Sequence, residues 1–166
     1  MKRQVYLDTS AFFKLFLPEE GYDEVERILT LAKDGKLQVV ISEWVVNEAA
    51  AAVEKKVSLE KISRKDAHDT HFAMANFLED NYRTRTVISY AINEKIILAS
   101  RSLIKDMHVN ASDALHVIIS LSAACHYFAS ADKELNENIK KSGVSMQVLD
   151  IHHRKVMSEF FNDMGK

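Results

Sequence analysis

Two periods of hydrophobic patterning divide this chain of 166 residues. Short apolar runs, Val5-Tyr6-Leu7, residues 37–41 with Val39-Val40-Ile41, and Tyr127-Phe128-Ala129, read as buried strands, and alternating Val144, Met146 and Val148 mark a last strand over residues 144–151. Between them, apolar residues recur three and four apart, the spacing of one helix face. Residues 11–17 read as a short, mostly buried helix interrupted at Pro18, because the residue before a proline is pushed out of the helical region. Residues 19–33 carry Tyr22, Val25, Ile28, Leu29 and Ala32 on one face and stop at Asp34-Gly35. Ser42 caps a helix over residues 43–56. A capping signal at Ser58, with Lys61 at its third position, introduces a helix over 59–82, and a further apolar series from Ile88 through Ile96, Ile97 and Ile104 runs to about His108. These two segments are expected to form a helical hairpin beside the sheet. Asn110 precedes an almost wholly apolar helix that starts at Asp113, Asp132 opens a helix over 133–141 that ends at Gly143, and a tail helix holds Val156, Phe160 and Phe161. Strands alternating with helices predict an α/β domain with a parallel sheet, in which right-handed crossovers bring every strand end to one edge. No linker, repeat or low-complexity tract divides the chain, so a single domain is expected over residues 1–166.

Composition narrows the possibilities without naming any. At 47% hydrophobic and 28% charged residues, the chain is that of an ordinary globular protein. No apolar run approaches the thickness of a bilayer, and the apolar stretch before Asp8 is too short for the core of a signal peptide; the expected location is the cytoplasm, with no membrane partner. The one cysteine, Cys125, sits in an apolar run and reads as a core residue. Four unclustered glycines exclude a phosphate-binding P-loop. With a net charge of −2, any contact with a polyanion must be local.

The chemistry-bearing positions are acids at strand ends. Val5-Tyr6-Leu7 runs directly into Asp8-Thr9-Ser10, at the edge where open α/β sheets place ligands. Asp132 follows the strand at Tyr127-Phe128-Ala129 in the same way. Asp113 lies three residues after Asn110, which explains it as part of a helix cap but equally aims a carboxylate out of a helix N-terminus. Glu48 lies three and four residues from Trp44, Val45, Ala51 and Ala52, on the apolar stripe of its helix; an ion pair between helices would also place it there. Four carboxylates gathered at one edge need a cation, and all-oxygen ligands suit Mg²⁺ or Mn²⁺, ions that share their coordination with phosphate oxygens. The chemistry this points to is hydrolysis of a phosphodiester, with Thr9 and Ser130 able to orient ligands or water. Tyr82, Arg83 and Arg85 form the one basic patch with an aromatic neighbour, a candidate RNA contact whose simpler reading is a solvated connection. His68 and His71, and the pair His152-His153, lack a third ligand at a diagnostic spacing. His116, one turn after Asp113, reads either as a donor behind a metal ligand or as a hydrogen-bonded core histidine.

Four segments together resemble a known family. Val5-Tyr6-Leu7-Asp8-Thr9-Ser10-Ala11, Ile41-Ser42-Glu43-Trp44-Val45-Val46-Asn47-Glu48, Ala111-Ser112-Asp113-Ala114-Leu115-His116 and Phe128-Ala129-Ser130-Ala131-Asp132 are similar, in order, to the motifs of PIN-domain ribonucleases, especially the VapC-type toxins of toxin–antitoxin pairs. The resemblance implies a three-layer α/β/α sandwich around a parallel sheet and a Mg²⁺- or Mn²⁺-dependent endoribonuclease. It implies metal-site acids at Asp8, Glu48, Asp113 and Asp132, a supporting hydroxyl at Ser130, a homodimer, and an antitoxin that covers the site. Many members carry one more acid shortly after the fourth; here Asn136 stands nearby and Glu134 is the only close acid. The competing expectation is a PIN-like module that binds RNA or protein without cleaving.

Overall fold

The computed structural model describes residues 2–17 and 19–165, so the expected interruption at Pro18 lies outside the described residues. Five parallel strands form one sheet in the order β3-β2-β1-β4-β5. They are β1 (Arg3–Leu7), β2 (Leu37–Ser42), β3 (Val87–Tyr90), β4 (Tyr127–Ser130) and β5 (Gln147–Asp150). Helices α1 (Thr9–Phe13), α2 (Tyr22–Lys33), α3 (Glu43–Ser58), α4 (Arg64–Arg83), α5 (Glu94–Met107), α6 (Ala111–Ser122), α7 (Lys133–Lys141) and α8 (Arg154–Met164) connect and cover the strands. This is the expected α/β/α sandwich. The three central strands are apolar because both faces of the sheet are covered: Val5, Tyr6, Leu7, Val39, Val40, Ile41, Phe128 and Ala129 are fully buried.

The strand order places the site. From β1 the chain moves outward to β2 and β3, then returns to β4 on the other side of β1. The order therefore reverses between β1 and β4, and the crevice beyond their carboxyl ends is where such sheets leave room for a ligand. The register aligns Leu7 with Ala129, and the Asp8 amide donates to the Ala129 carbonyl at 3.1 Å, so Asp8 and the segment 130–132 leave the sheet side by side.

Three local readings are corrected. Residues 87–90 are the edge strand β3, paired with β2 alone, whereas the sequence pattern put 88–108 into one helical series. Ile88, Ala91 and Ile92 copy helical spacing, and a four-residue edge strand is too short to show its own alternation. The expected hairpin of 59–82 with 88–108 is thus broken by a strand. Second, α3 runs through Ser58, and α4 starts after Ser63, not after Ser58. Ser63 and Asp66 form a reciprocal capping box; Lys61, at the third position after Ser58, has no acceptor with which to close one. Third, α2 starts at Tyr22 behind Gly21, whose φ of +94° favours glycine and whose missing side chain leaves room for Ile151 Cγ2, 2.6 Å from where a Cβ would stand.

Candidate active site

The helix that follows each strand begins at the carboxyl edge of the sheet, and the acids come with α1, α3, α6 and α7. Asp8 follows β1 and caps α1, Oδ1 accepting from the Ala11 amide at 2.8 Å and from Ser10 Oγ at 2.7 Å. Asp132 follows β4 and caps α7 through the Leu135 amide at 2.9 Å. Asp113 stands in the first turn of α6, its amide donating to Asn110 Oδ1 at 2.9 Å while its carboxylate accepts from Asn110 Nδ2 at 2.8 Å. Glu48 lies one turn further along α3, whose cap is Ser42. All four carboxylates line a single cleft of about 430 Å³, together with Thr9, Ser10, Ala51, Ala52, Lys55 and His116. Ser130 is fully buried beneath it: its hydroxyl accepts from the Asp132 amide at 2.9 Å and lies 3.2 Å from Ser10 Oγ, so it fixes the floor without facing the cleft.

Glu48 has the densest set of partners. Thr9 Oγ1 and His116 Nε2 both reach Oε2, the latter at 2.7 Å, and Ser112 Oγ donates to Oε1. Behind it, the His116 Nδ1 lies 2.9 Å from the Tyr6 hydroxyl, which lies 3.0 Å from Ser42 Oγ. An ionised carboxylate only accepts, so Nε2 carries the proton in this arrangement, and Tyr6 and Ser42 complete the chain behind the ring. Burial pushes the Tyr6 phenol upward, which keeps its proton on oxygen.

The electrostatics separate the acids. Burial works against ionised Glu48, but the hydrogen bonds from His116, Ser112 and Thr9 outweigh it and hold the carboxyl down to about 2. Asp113 is pushed up to about 6, first by burial and then by repulsion from Asp132, Asp8 and Glu48. Asp8, 3% exposed, is raised mainly by burial, against the opposing influence of His116, Ser130, Ala11 and Ser10.

As the side chains stand, no group of three or more His, Cys, Asp or Glu among the described residues is gathered closely enough to hold an ion. The reason is local: the Glu48 carboxylate is turned to its three donors, Asp113 to Asn110, and Asp132 to its own helix. The donor set nonetheless fits a hard divalent cation, since four carboxylates on four separate segments share one cleft and the other three push the Asp113 carboxyl up.

Tyr82, Arg83 and Arg85 are not brought to this cleft. Arg83 ends α4 and Arg85 follows it at the opposite, amino edge of the sheet, where Gln38 Nε2 donates to the Arg85 carbonyl at 3.1 Å and Arg83 pairs with Asp80 at 3.3 Å, while the Tyr82 phenol reaches along β3 to Ser89. His71 pairs with Glu54, and His153 caps α8. Cys125 is buried, and burial lifts its thiol to about 12. The sequence reading passed over Lys55. It lines the cleft seven residues after Glu48 on the same helix face, a spacing that was legible, and among the described residues no carboxylate pairs with it.

The chain matches the profile of the PIN domain family over residues 5–131. It belongs to that family. No curated protein matches its sequence. Among solved structures, it is similar to PAE2754 from Pyrobaculum aerophilum, with a TM-score of 0.62 and 12% identity over 96% of this chain and 90% of that one. It is similar to FitAcB from Neisseria gonorrhoeae, with a TM-score of 0.62 and 17% identity over 90% and 99%. VapC20 from Mycobacterium tuberculosis, described as a sarcin–ricin loop cleaving toxin, aligns with a TM-score of 0.58 and 12% identity over 86% and 98%. At these identities the likeness is one of fold. PIN domains are generally nucleases, and the acid cleft of this PIN domain stands at the carboxyl ends of β1 and β4.

Two outcomes follow from the crowding of charge. Asp8→Asn keeps the cap of α1 and removes one buried charge, so in EDTA it is expected to melt hotter than the parent, by about 2–4 °C for each kcal/mol of repulsion relieved in a chain of this size. Its Mn²⁺-induced rise in Tm is expected to shrink. Thermal melts with and without Mn²⁺ decide this, and a variant that melts colder with an undiminished Mn²⁺ shift makes Asp8 a structural acceptor only.

The second outcome concerns pH. Asp113 binds its proton more tightly folded than unfolded, so metal-free stability falls as pH rises from about 4 to about 6, and the loss is complete above that window. Asp113→Asn is expected to flatten that part of the curve and to raise the plateau near neutral pH. Denaturant titrations in EDTA across the window measure it; an unchanged slope in the variant refutes the assignment.

Proposed function

We propose that this chain, as one PIN-like domain over residues 1–166, is a divalent-metal-dependent endoribonuclease and the toxin of a toxin–antitoxin pair. The observation that carries the reading is the meeting of Asp8, Glu48, Asp113 and Asp132 in one cleft at the point where the strand order reverses. These four would hold Mg²⁺ or Mn²⁺, which when bound supplies charge neutralisation for a phosphodiester and lowers the pKa of a water. The protein's own part is to place oxygens. His116, Thr9 and Ser112 keep Glu48 ionised and in one orientation, Ser10 and the Ala11 amide fix Asp8, and Ser130 braces the turn that presents Asp132. Lys55, on the rim and without an ion-pair partner among the described residues, is the group offered to an RNA phosphate. Tyr82, Arg83 and Arg85, at the far edge, are left to a longer RNA or to another surface. The toxin reading draws support from neighbours of similar fold, FitAB bound to a DNA fragment and the cleaving toxin VapC20, and it brings with it an antitoxin, a homodimer and a cytoplasmic location. Among the described residues, no helix is long and apolar enough to cross a membrane.

A second reading has one observation in its favour: each carboxylate is already engaged by a local donor, as in a PIN-like module that binds without cleaving. Incubation of the purified chain with total RNA separates the two. Cleavage is expected in Mg²⁺ or Mn²⁺, none in EDTA and none in Ca²⁺, whose looser coordination misplaces the attacking water. RNA binding with no cleavage under any ion selects the module.

Lys55→Ala is expected to weaken RNA binding and lower the salt dependence of log Kd by about one phosphate contact, whereas alanine at Arg83 and Arg85 changes cleavage less than about twofold. Filter binding across a salt series reads the slope. A slope lowered by the arginine pair and untouched at Lys55 would move the RNA path to the opposite edge.

A further inference from the structure

We propose that Trp44 is a base-stacking subsite for single-stranded RNA at the end of the acid cleft. The inference rests on the nuclease reading and adds to it the class of contact that positions the substrate. Trp44 stands in the first turn of α3, immediately beyond the carboxyl end of β2, and is 36% exposed. Its indole Nε1–H donates to Ser112 Oγ at 2.7 Å, and the same hydroxyl donates to Glu48 Oε1. One serine therefore ties the ring to a carboxylate of the cleft. With the ring's single polar atom satisfied, what the side chain offers to solvent is hydrocarbon, the surface that a nucleobase covers.

The geometry of α3 extends the argument. Trp44, Glu48, Ala51, Ala52 and Lys55 follow one another at spacings of four, three, one and three residues, so they share one helix face, and four of the five line the cleft. Eleven residues of helix separate the aromatic end from the cationic end, about 16 Å, with Glu48 between them. Alanines at 51 and 52 keep this wall low. A strand laid along it would meet a stacking ring, a carboxylate at the scissile region and an ammonium, the combination used by sequence-tolerant single-strand binders. The other exposed large apolar residues, Leu59, Phe72, Tyr82, Ile97 and Leu98, lie outside α3 and do not line the cleft, so they carry no such argument.

Trp44 is the only tryptophan of the chain, so its fluorescence reports the subsite directly. The experiment titrates the full chain, in Ca²⁺ and again in EDTA, with an oligouridylate and with an abasic ribose-phosphate strand of equal length. Oligouridylate is expected to quench the emission and the abasic strand to leave it unchanged. Trp44→Leu is expected to bind oligouridylate about tenfold more weakly, the effect of losing one stacked base, and Trp44→Phe to stay within about threefold of the parent, both with the parent's salt slope. Melting curves establish that the variants fold; should Trp44→Leu be destabilised, the quenching by the two strands in the parent decides alone. Equal quenching by the abasic strand, or Trp44→Leu binding as tightly as a parent that cleaves RNA in Mn²⁺, overturns the subsite and leaves the nuclease reading standing. Emission that changes with protein concentration in the absence of RNA reassigns the ring to contact between copies and likewise overturns it. A parent that neither binds nor cleaves RNA removes both.

Discussion

Like charge held in one place is the constraint on which this architecture turns. Two unit charges 8 Å apart still repel by about 2 kcal/mol at an effective dielectric near 20, and the cleft gathers four. The fold offsets this with backbone dipoles. Asp8 and Asp132 are themselves helix caps and Asp113 lies within the first turn of α6, whereas Glu48 stands six residues beyond the cap of α3 and relies on its hydrogen-bond donors instead. Helix N-termini favour negative charge by about 0.3–1 kcal/mol each within their first turn, so the elements that deliver Asp8, Asp113 and Asp132 also stabilise them. A parallel sheet is what makes this possible: every strand ends at the same edge, and the helix that follows a strand starts there.

The second debt of the site is burial, and the protein meets it with a hydrogen-bonded chain that reaches into the sheet. Ser42 ends β2, Tyr6 lies in β1 and His116 in α6, so three elements join in fixing the oxygen of Glu48 that His116 meets. Tyr6 is wholly buried and stacks on Phe128 of β4, with centroids 5.5 Å apart, so its hydroxyl has no freedom to follow a wandering histidine. A buried polar chain of this kind is costly if any member is left unpaired, and here each hydroxyl and ring nitrogen has a partner. The rigidity of Glu48 is thus inherited from the core of the sheet rather than from the loop around it.

How far the sequence disclosed this depends on whether a signal is local. Asp8, Asp113 and Asp132 were legible because each follows a strand or a cap within three residues, and both kinds of signal are written in neighbouring positions. Glu48 was legible as an anomaly, an acid on an apolar stripe, and the structure resolves it: Val45, Ala49 and Val53 face the core, while Ala51 and Ala52 belong to the wall of the cleft. The Tyr6–His116–Glu48 chain joins residues 110 and 68 positions apart, and no neighbouring residue announces it. Strand β3 failed for the opposite reason, because its four residues imitate a helix that begins only at Glu94. The arginines at 83 and 85 show the limit of composition: an aromatic beside two cations says nothing of which edge of the sheet it will occupy.

Asn136, near the place where the resemblance leads to the expectation of a further acid, has a structural account of its own. It is 1% exposed, and its Nδ2 donates to the Ser130 carbonyl at 3.2 Å, at the very end of β4. That carbonyl also accepts from the Ile151 amide, so the amide side chain joins β4, β5 and α7 directly under the turn that presents Asp132. An ionised aspartate in its place would lose the donor and set a buried charge against a carbonyl oxygen, beneath a cleft that already holds four carboxylates. Neutral Asn136 fits a site whose charge is at its limit, though its own Oδ1 is buried with no partner among the described residues. Any further acid toward the cleft would have to come from the exposed first turn of α7, where Glu134 stands, and not from the floor.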